Sequence, residues 1–115
     1  MMDLSAKLEI ANQSDVGLKR PHNEDSTITD GRNGIVILAD GMGGYKAGEV
    51  ASALAVTNIL FGITNGLKKL KSGQIDESTG FCNESLLIRN AITHANSVIY
   101  NTAKADPQCQ GMGTT

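Results

Sequence analysis

Apolar residues follow two different periods along this chain, and the first of them is typical of strands. Residues 6–12 alternate between apolar and polar side chains, which predicts a half-buried strand. Residues 26–29 predict a second, short strand. Residues 35–39 form a continuous and mostly β-branched run, which predicts a strand buried on both faces. Between these two strands, residues 30–34 contain Gly and Asn, which predicts a hairpin turn.

The second period is helical and begins after residue 44. Apolar residues there recur every three to four positions, which predicts an amphipathic helix over about residues 47–62. A second helix is predicted from a capping segment at residues 83–85 to about residue 103, before the break at Asp106-Pro107. Because the helices follow several strands rather than alternate with them, the order favours a layered α+β fold.

Composition and charge narrow the class of protein. The chain has 115 residues, of which 40% are hydrophobic and 19% charged, a balance typical of one modest globular domain. A formal charge of −2 gives no reason to propose nucleic acid or a membrane as partner. Cys82 and Cys109 match no metal-ligand spacing and are predicted to be unpaired thiols. No signal peptide is evident, and the apolar stretch at residues 51–63 is short for a bilayer, so we expect a cytoplasmic chain.

A carboxylate followed by glycines forms the first candidate site. Asp40 directly follows the predicted strand at residues 35–39. Gly41 comes next, and two further glycines stand at positions 43 and 44. Such a turn can expose a carbonyl as a ligand or let an anion approach the backbone. An ordinary glycine-rich turn is the non-functional alternative. A dinucleotide-binding turn is disfavoured because Lys46 stands where the fingerprint needs Gly or Ala, and no P-loop sequence follows.

The loop before the second predicted strand forms another candidate site. Arg20 offers a planar fork for a phosphate, while Glu24 and Asp25 offer the oxygen ligands that hard cations prefer. Alone, this loop also fits a solvated charged surface, and His22 within it is interpreted as a solvated side chain. Together with Asp40, the loop offers what a divalent metal and a phosphate need in one place.

Three segments of the chain form a longer pattern. They are Ser14-Asp15-Val16-Gly17 with Arg20 and Asn23-Glu24-Asp25-Ser26, then Ala39-Asp40-Gly41-Met42-Gly43-Gly44 with Ala47-Gly48-Glu49 and Ala51-Ser52, and finally Gly111-Met112-Gly113-Thr114-Thr115. In order and spacing they resemble three consecutive motifs of bacterial PPM-type (type two C-like) metal-dependent protein Ser/Thr phosphatases. The resemblance implies that family's fold, an α-β-β-α sandwich of two antiparallel sheets flanked by helices.

The resemblance also implies a site for two Mn²⁺ or Mg²⁺ ions that activate a water to hydrolyse phosphoserine or phosphothreonine. Arg20 would bind the substrate phosphate. Asp25 and Asp40 would ligate metal, with Asp40 bridging the two ions. The backbone carbonyl of Gly41 would complete one metal shell, and Glu24 would contribute through a bound water.

The chain departs from the family in two respects. Tyr45 stands where members often carry His, and the family's remaining metal-binding aspartates come after the segment at residues 111–115, which would enter a structural strand. We therefore expect residues 1–115 to be the N-terminal part of a single PPM-type phosphatase domain, with its C-terminal part absent, and to be inactive alone. A non-catalytic regulatory module on the same fold is the alternative. The expected partner is a phosphorylated protein, and the sequence indicates no oligomeric state.

Overall fold

The computed structural model describes residues 2–44 and 47–115. Its elements, in chain order, are strand β1 (Asp25–Asp30), strand β2 (Ile35–Met42), helix α1 (Ala47–Leu67), helix α2 (Asn83–Ala105), a short 3₁₀ helix (Pro107–Cys109) and strand β3 (Gly113–Thr114). The strands form one sheet in the order β1-β2-β3, and both neighbouring pairs are antiparallel. Helix α1 packs against all three strands and against α2. The fold class is therefore α+β, as the order of the predicted elements indicated.

The β1–β2 hairpin is present as predicted, and Asp30 holds its turn. The carboxylate of Asp30 accepts hydrogen bonds from the backbone N–H of Arg32 at 3.0 Å and of Asn33 at 3.2 Å. It also accepts one from the side-chain amide of Asn33 at 2.6 Å. Gly34 closes the turn with a φ of 68°, a conformation that glycine adopts without strain. The turn thereby pairs Asp30 with Ile35 and sets the register of the whole hairpin.

β2 is buried on one face only, which corrects the prediction of a strand buried on both faces. Its residues alternate regularly between covered and exposed positions. Ile37 and Ala39 contribute to the core with α1. Three large apolar side chains on the opposite face are about two-thirds exposed: Val36, Leu38 and Met42. A continuous apolar run shows that both faces are apolar, but it contains no information on whether a second layer covers both.

No strand forms over residues 6–12, so that prediction is wrong. The carbonyl of Leu4 instead accepts hydrogen bonds from the N–H groups of Lys7 and Leu8 at 2.8 and 3.0 Å, which makes a turn. Beyond it, the segment is joined to β1 by a side-chain hydrogen bond from Thr27 to Asn12 at 3.0 Å, not by backbone pairs. An alternating pattern makes a strand only where a neighbouring backbone completes the ladder.

Helix α1 starts where predicted, at residue 47, but continues past the predicted end at Gly62 to Leu67. Gly62 and Gly66 lie in the contact with α2. A Cβ on Gly62 would come within 3.1 Å of the Cβ of Ala91, and a Cβ on Gly66 would overlap the side chain of Leu87. Close packing of the two helices therefore outweighs the helix-propensity cost of about 1 kcal/mol for each glycine.

By length and composition, α1 is also able to cross a membrane. The sequence prediction considered only the apolar stretch at residues 51–63, whereas the complete helix has 21 residues. The core helix of a globular domain passes the same test, and α1 packs against both the sheet and α2. The composition of α1 is therefore weak support for a membrane span.

Small residues dominate the core between the sheet and the helices. Helix α2 confirms the second predicted helix within two residues at its end, and it buries Ala91, Ala95 and Ile99. The main core cluster consists of Ala39, Ala47, Ala51, Ala55, Val56, Ile99, Cys109 and Met112. Both cysteines are free, as predicted.

An apolar groove lies open beside β2, because β3 pairs only with the last residues of that strand. The groove has a volume of about 630 Å³ and borders β2, α1 and α2. Ile88 and Ile92 of α2 line it and are about half exposed. The described strands therefore cover the helix pair incompletely.

Candidate metal and phosphate site

The hairpin brings two of the predicted metal ligands, Asp25 and Asp40, directly opposite each other on the exposed face of the sheet. The backbone N–H and C=O of Asp40 both bond to Thr115, at 2.8 and 3.0 Å, and therefore point away from β1. The Asp25–Asp40 pair is consequently of the non-hydrogen-bonded type, in which the Cα atoms are about 4.5 Å apart and the side chains lie closest. Two carboxylates in this arrangement can contact one divalent cation.

Partial loss of hydration and the nearby carboxylates raise the pKa of Asp25. The largest cause is partial loss of hydration, although the residue as a whole is exposed. A hydrogen bond to Asp40 and the negative charges of Asp40 and Glu24 act in the same direction. A cation between Asp25 and Asp40 would turn this repulsion into attraction, and carboxylate oxygens are the ligands that Mg²⁺ and Mn²⁺ prefer. The donor set therefore fits such a cation in chemical type.

The same donor set is incomplete in number. Over residues 2–44 and 47–115, no three side chains of His, Cys, Asp and Glu come together as a metal-binding group. Mg²⁺ demands an octahedral shell of six ligands. A cation held by Asp25 and Asp40 would need further oxygens, from water, from a backbone carbonyl such as that of Gly41, or from other protein groups.

Glu24, the predicted water-mediated ligand, is packed against the first turn of α1. Its Oε1 lies 3.3 Å from Nε2 of His22. Gly48 leaves room for the carboxylate, because a Cβ at that position would lie 2.8 Å from the Glu24 carboxyl carbon. His22 is therefore a half-buried partner of Glu24 and not the solvated side chain that the sequence suggested. The role of Glu24 through a water stays a prediction.

Three backbone segments meet at the carbonyl of Glu24. This carbonyl accepts a hydrogen bond from the N–H of Gly41 at 3.2 Å and another from Oγ of Ser52 at 2.7 Å. A Cβ on Gly41 would overlap the carbonyl of Gly48 and would lie 2.7 Å from the carbonyl oxygen of Glu24. Backbone atoms therefore contact each other directly where the end of β2, the loop before β1 and the start of α1 meet. This close approach explains why Gly41 and Gly48 are glycines.

Ser52 lies beside the candidate site, and its sequence position alone indicated no role for it. It has 0% of its surface exposed, and its Oγ lies 2.9 Å from Oγ of Ser26 and 3.2 Å from the carbonyl of Glu49. Its position on the apolar face of α1 was the available signal, since a hydroxyl on a buried face needs a hydrogen-bond partner. The sequence did not indicate which partner that would be.

Arg20, the predicted phosphate ligand, lies in the exposed loop before β1. The same loop is attached to the site by Asn23, whose Oδ1 accepts the N–H of Asp25 at 3.0 Å and whose amide donates to Ser14 at 2.6 Å. The described contacts join Arg20 neither to Asp25 nor to Asp40. Its role therefore stays a prediction. Tyr45 and Lys46, which bear on the family comparison and on the dinucleotide alternative, lie outside the described residues.

The last motif, at residues 111–115, enters a strand as predicted. β3 pairs with the end of β2, placing Thr114 opposite Gly41. Oγ1 of Thr114 donates to the carbonyl of Asp40 at 2.8 Å, and Thr115 forms two backbone hydrogen bonds with Asp40. This motif therefore fixes the main chain of one predicted metal ligand.

Comparison with known proteins gives relatives over the whole chain, although no protein-family model matches it. The serine/threonine protein phosphatase PstP of Mycobacterium tuberculosis is 33% identical over 115 residues, which are 100% of this chain and 20% of PstP. The serine/threonine phosphatase Stp of Listeria monocytogenes is 34% identical over 109 residues, 90% of this chain and 38% of that protein. This chain therefore spans a fifth to about two-fifths of the length of these relatives.

The fold is similar as well. The crystal structure of the M. tuberculosis serine/threonine phosphatase PstP/Ppp matches with a TM-score of 0.67 and 37% identity, over 90% of this chain and 37% of that one. The sequence and the fold agree on the same group of enzymes. The chain therefore belongs to the bacterial PPM-type (PP2C-type) serine/threonine phosphatase family and corresponds to part of the length of its members.

Proposed function

We propose that this chain supplies part of the catalytic site of a metal-dependent protein serine/threonine phosphatase. The observation that supports this most directly is the position of Asp25 opposite Asp40. The pKa of Asp25 is raised first by partial loss of hydration and then by its contact with Asp40. The similarity to serine/threonine phosphatases supports phosphate-ester hydrolysis as the reaction class. The proposed substrate is a protein carrying phosphoserine or phosphothreonine.

In this proposal, Asp25 and Asp40 would hold Mn²⁺ or Mg²⁺. The carbonyl of Gly41, and Glu24 through a water, would supply further oxygens. Bound there, two divalent cations would neutralise phosphate charge and activate a water for attack on phosphorus. The chain itself keeps the two carboxylates opposite each other through the register of the hairpin.

Arg20 takes the phosphate-binding role. Its guanidinium has donors in a planar fork that match two phosphoryl oxygens. A loop position allows it to approach a substrate at the protein surface. Binding by Arg20 would orient the phosphoryl group and stabilise the charge that develops on it.

We also propose that residues 1–115 form the N-terminal part of one catalytic domain and do not turn over substrate alone. Two carboxylates are few for two hard cations, which would then keep water and bind weakly. The exposed apolar face of β2, with Val36, Leu38 and Met42, would pack on a second sheet in an α-β-β-α sandwich. The cytoplasmic location, the absence of nucleic-acid and membrane partners, and the preferred metal stay predictions.

A chimera tests the function directly. Residues 2–115 would replace the aligned segment of the M. tuberculosis PstP catalytic domain, and hydrolysis of a phosphothreonine peptide would be measured with and without Mn²⁺. We expect Mn²⁺-dependent hydrolysis, which Asp40→Asn reduces to background and which Glu77→Gln, an exposed carboxylate change between the helices, leaves intact. The isolated chain should show no turnover.

Two other outcomes are informative. A chimera that folds and binds Mn²⁺ without hydrolysis would favour the alternative, a non-catalytic regulatory module on the same fold. A chimera with the melting temperature of PstP and no Mn²⁺ binding would contradict the proposed metal site itself.

A further inference from the structure

One buried hydroxyl holds both sequence neighbours of Asp25. Oγ of Ser52 lies 2.7 Å from the carbonyl of Glu24 and 2.9 Å from Oγ of Ser26. Asp25 stands between these two residues. Ser52 is the last residue of the motif that continues into α1, so its hydroxyl links the helix to the loop and the strand at the level of the predicted metal ligand.

The direction of these hydrogen bonds follows from the atoms involved. A carbonyl oxygen only accepts, so Ser52 donates its single proton to Glu24 over the shortest of its contacts. Ser52 then accepts from the hydroxyl of Ser26. The contact with the carbonyl of Glu49, at 3.2 Å, is the longer alternative within the helix. The observed distances therefore favour the arrangement that connects α1 to residues 24 and 26.

Ser26, which contacts Ser52, and Asp25, the predicted metal ligand, lie on opposite faces of β1. Ser26 lies next to Asp25 in β1, and successive side chains of a strand point to opposite faces. Ser26 accordingly contacts α1 from the covered face, while Asp25 lies opposite Asp40 on the exposed face. Ser52 is fully buried, so water does not compete for its hydroxyl.

We propose that Ser52 is a positioning residue for the cation site at Asp25 and Asp40. It fixes the main chain on both sides of Asp25, so that this carboxylate is held opposite Asp40. This inference rests on the proposed function. It adds that metal affinity depends on a hydroxyl in α1 that does not touch the metal, as with groups that orient ligands in other metal sites.

The test uses the ¹⁵N-labelled 115-residue chain and Mn²⁺ alone. Paramagnetic broadening of the amide signals of residues 25 and 40 reports weak as well as tight binding, without any need for turnover. We expect Ser52→Ala to raise the Mn²⁺ concentration for half-broadening about tenfold. Thr64→Val removes another hydroxyl that donates to a carbonyl in the same helix, 2.8 Å from Leu60, and should leave that concentration unchanged. Urea unfolding of each variant separates affinity from stability.

Ser26→Ala is the second variant, and it supplies the answer if Ser52→Ala does not fold. It should weaken Mn²⁺ binding about threefold, as expected for the loss of one hydrogen bond. If Ser52→Ala folds, the double variant should be no weaker than Ser52→Ala alone.

Three results would overturn the inference. Unchanged Mn²⁺ binding in folded Ser52→Ala, or in Ser26→Ala where that variant alone folds, would refute it and leave the proposed function standing. Equal weakening by Thr64→Val would show that Ser52 is merely structural. Absence of selective broadening in the wild-type chain would remove the metal site, and the inference with it.

Discussion

Asp25 lies opposite Asp40 at the open end of the hairpin, and each is fixed by a different part of the chain. The N–H of Asp25 donates to Asn23 in the preceding loop. The main chain of Asp40 is bonded on its other side to Thr115, at the end of the described structure. Backbone hydrogen bonds therefore keep the two carboxylates close together, although their negative charges repel each other.

The loss of hydration at Asp25, together with the repulsion by Asp40 and Glu24, predicts that Asp25→Asn stabilises the metal-free chain at neutral pH. The folded protein binds the Asp25 proton more tightly than the unfolded chain does, because the pKa of Asp25 is raised from 3.8. The free energy of unfolding should therefore fall as the pH rises from below 3.8 through the raised pKa. Asn carries no such penalty, so urea unfolding should show the variant more stable than wild type at pH 7, with the difference shrinking towards pH 3.

Mn²⁺ should reverse that order, since the wild-type carboxylate pair gains a counter-charge and the variant does not. Glu77→Gln is the matched control: it removes one exposed carboxylate outside the hairpin. A stability difference for Asp25→Asn that does not change with pH would contradict the explanation by charge.

Replacement by alanine should have very different effects on stability at Gly48 and at Gly44, two glycines of the same motif. Gly48→Ala would place a Cβ 2.8 Å from the carboxylate of Glu24 and 2.9 Å from the amide nitrogen of Met42, which is backbone and unable to turn away. We expect a loss of about 1–3 kcal/mol in the free energy of unfolding. Gly44→Ala meets no atom within 4 Å among residues 2–44 and 47–115, and it should stay within about 0.5 kcal/mol of wild type.

Thermal or urea unfolding of both variants checks this prediction, and NMR shifts of Glu24 and His22 show whether the carboxylate has moved. Equal stabilities for the two variants would mean that α1 can withdraw from the loop without cost, which would weaken the case for a closely packed junction.

Part of the site was predictable because it depends on local pairing. The turn at residues 30–34 was identified from Gly and Asn, and once the hairpin exists its register places Asp25 against Asp40. The contacts of Glu24 with Gly48 and Ser52 depend instead on how closely α1 approaches the loop. No periodicity of the sequence specifies that distance, so these contacts were not predicted.

The fold was predictable to a similar extent. Periodicity identified α1, α2 and the hairpin, since each has an apolar face that its own segment defines. It failed at residues 6–12 and at the outer face of β2, where the result depends on whether another layer is present. The end of α1 was misplaced at Gly62, because a glycine that ends an isolated helix can also serve a close helix contact.

The contact between α1 and α2 predicts that Gly66→Ala changes stability in a direction that depends on the residue at position 87. Gly66→Ala would overlap the side chain of Leu87 and should destabilise the chain by about 1 kcal/mol, despite the better helix propensity of Ala. In a Leu87→Ala background the space is open, and the same change should stabilise the chain by up to about 1 kcal/mol. A double-mutant cycle by urea unfolding measures the coupling. Additive effects would show that Gly66 and Leu87 do not meet.

The hydroxyl of Thr114 gives the last prediction, since it donates to the carbonyl of Asp40 at 2.8 Å. Thr114→Val keeps the shape and removes the donor, which should cost about 0.5–1.5 kcal/mol and speed hydrogen exchange at the amide of Asp40, which bonds to Thr115. Thr29→Val makes the same change in β1, away from the end of β2, and should leave both quantities unchanged. If Thr114→Val matched Thr29→Val in stability and in exchange at Asp40, the last motif would not anchor this carboxylate. A selective effect would mean that the position of Asp40 in the site depends on the strand formed by residues 113 and 114.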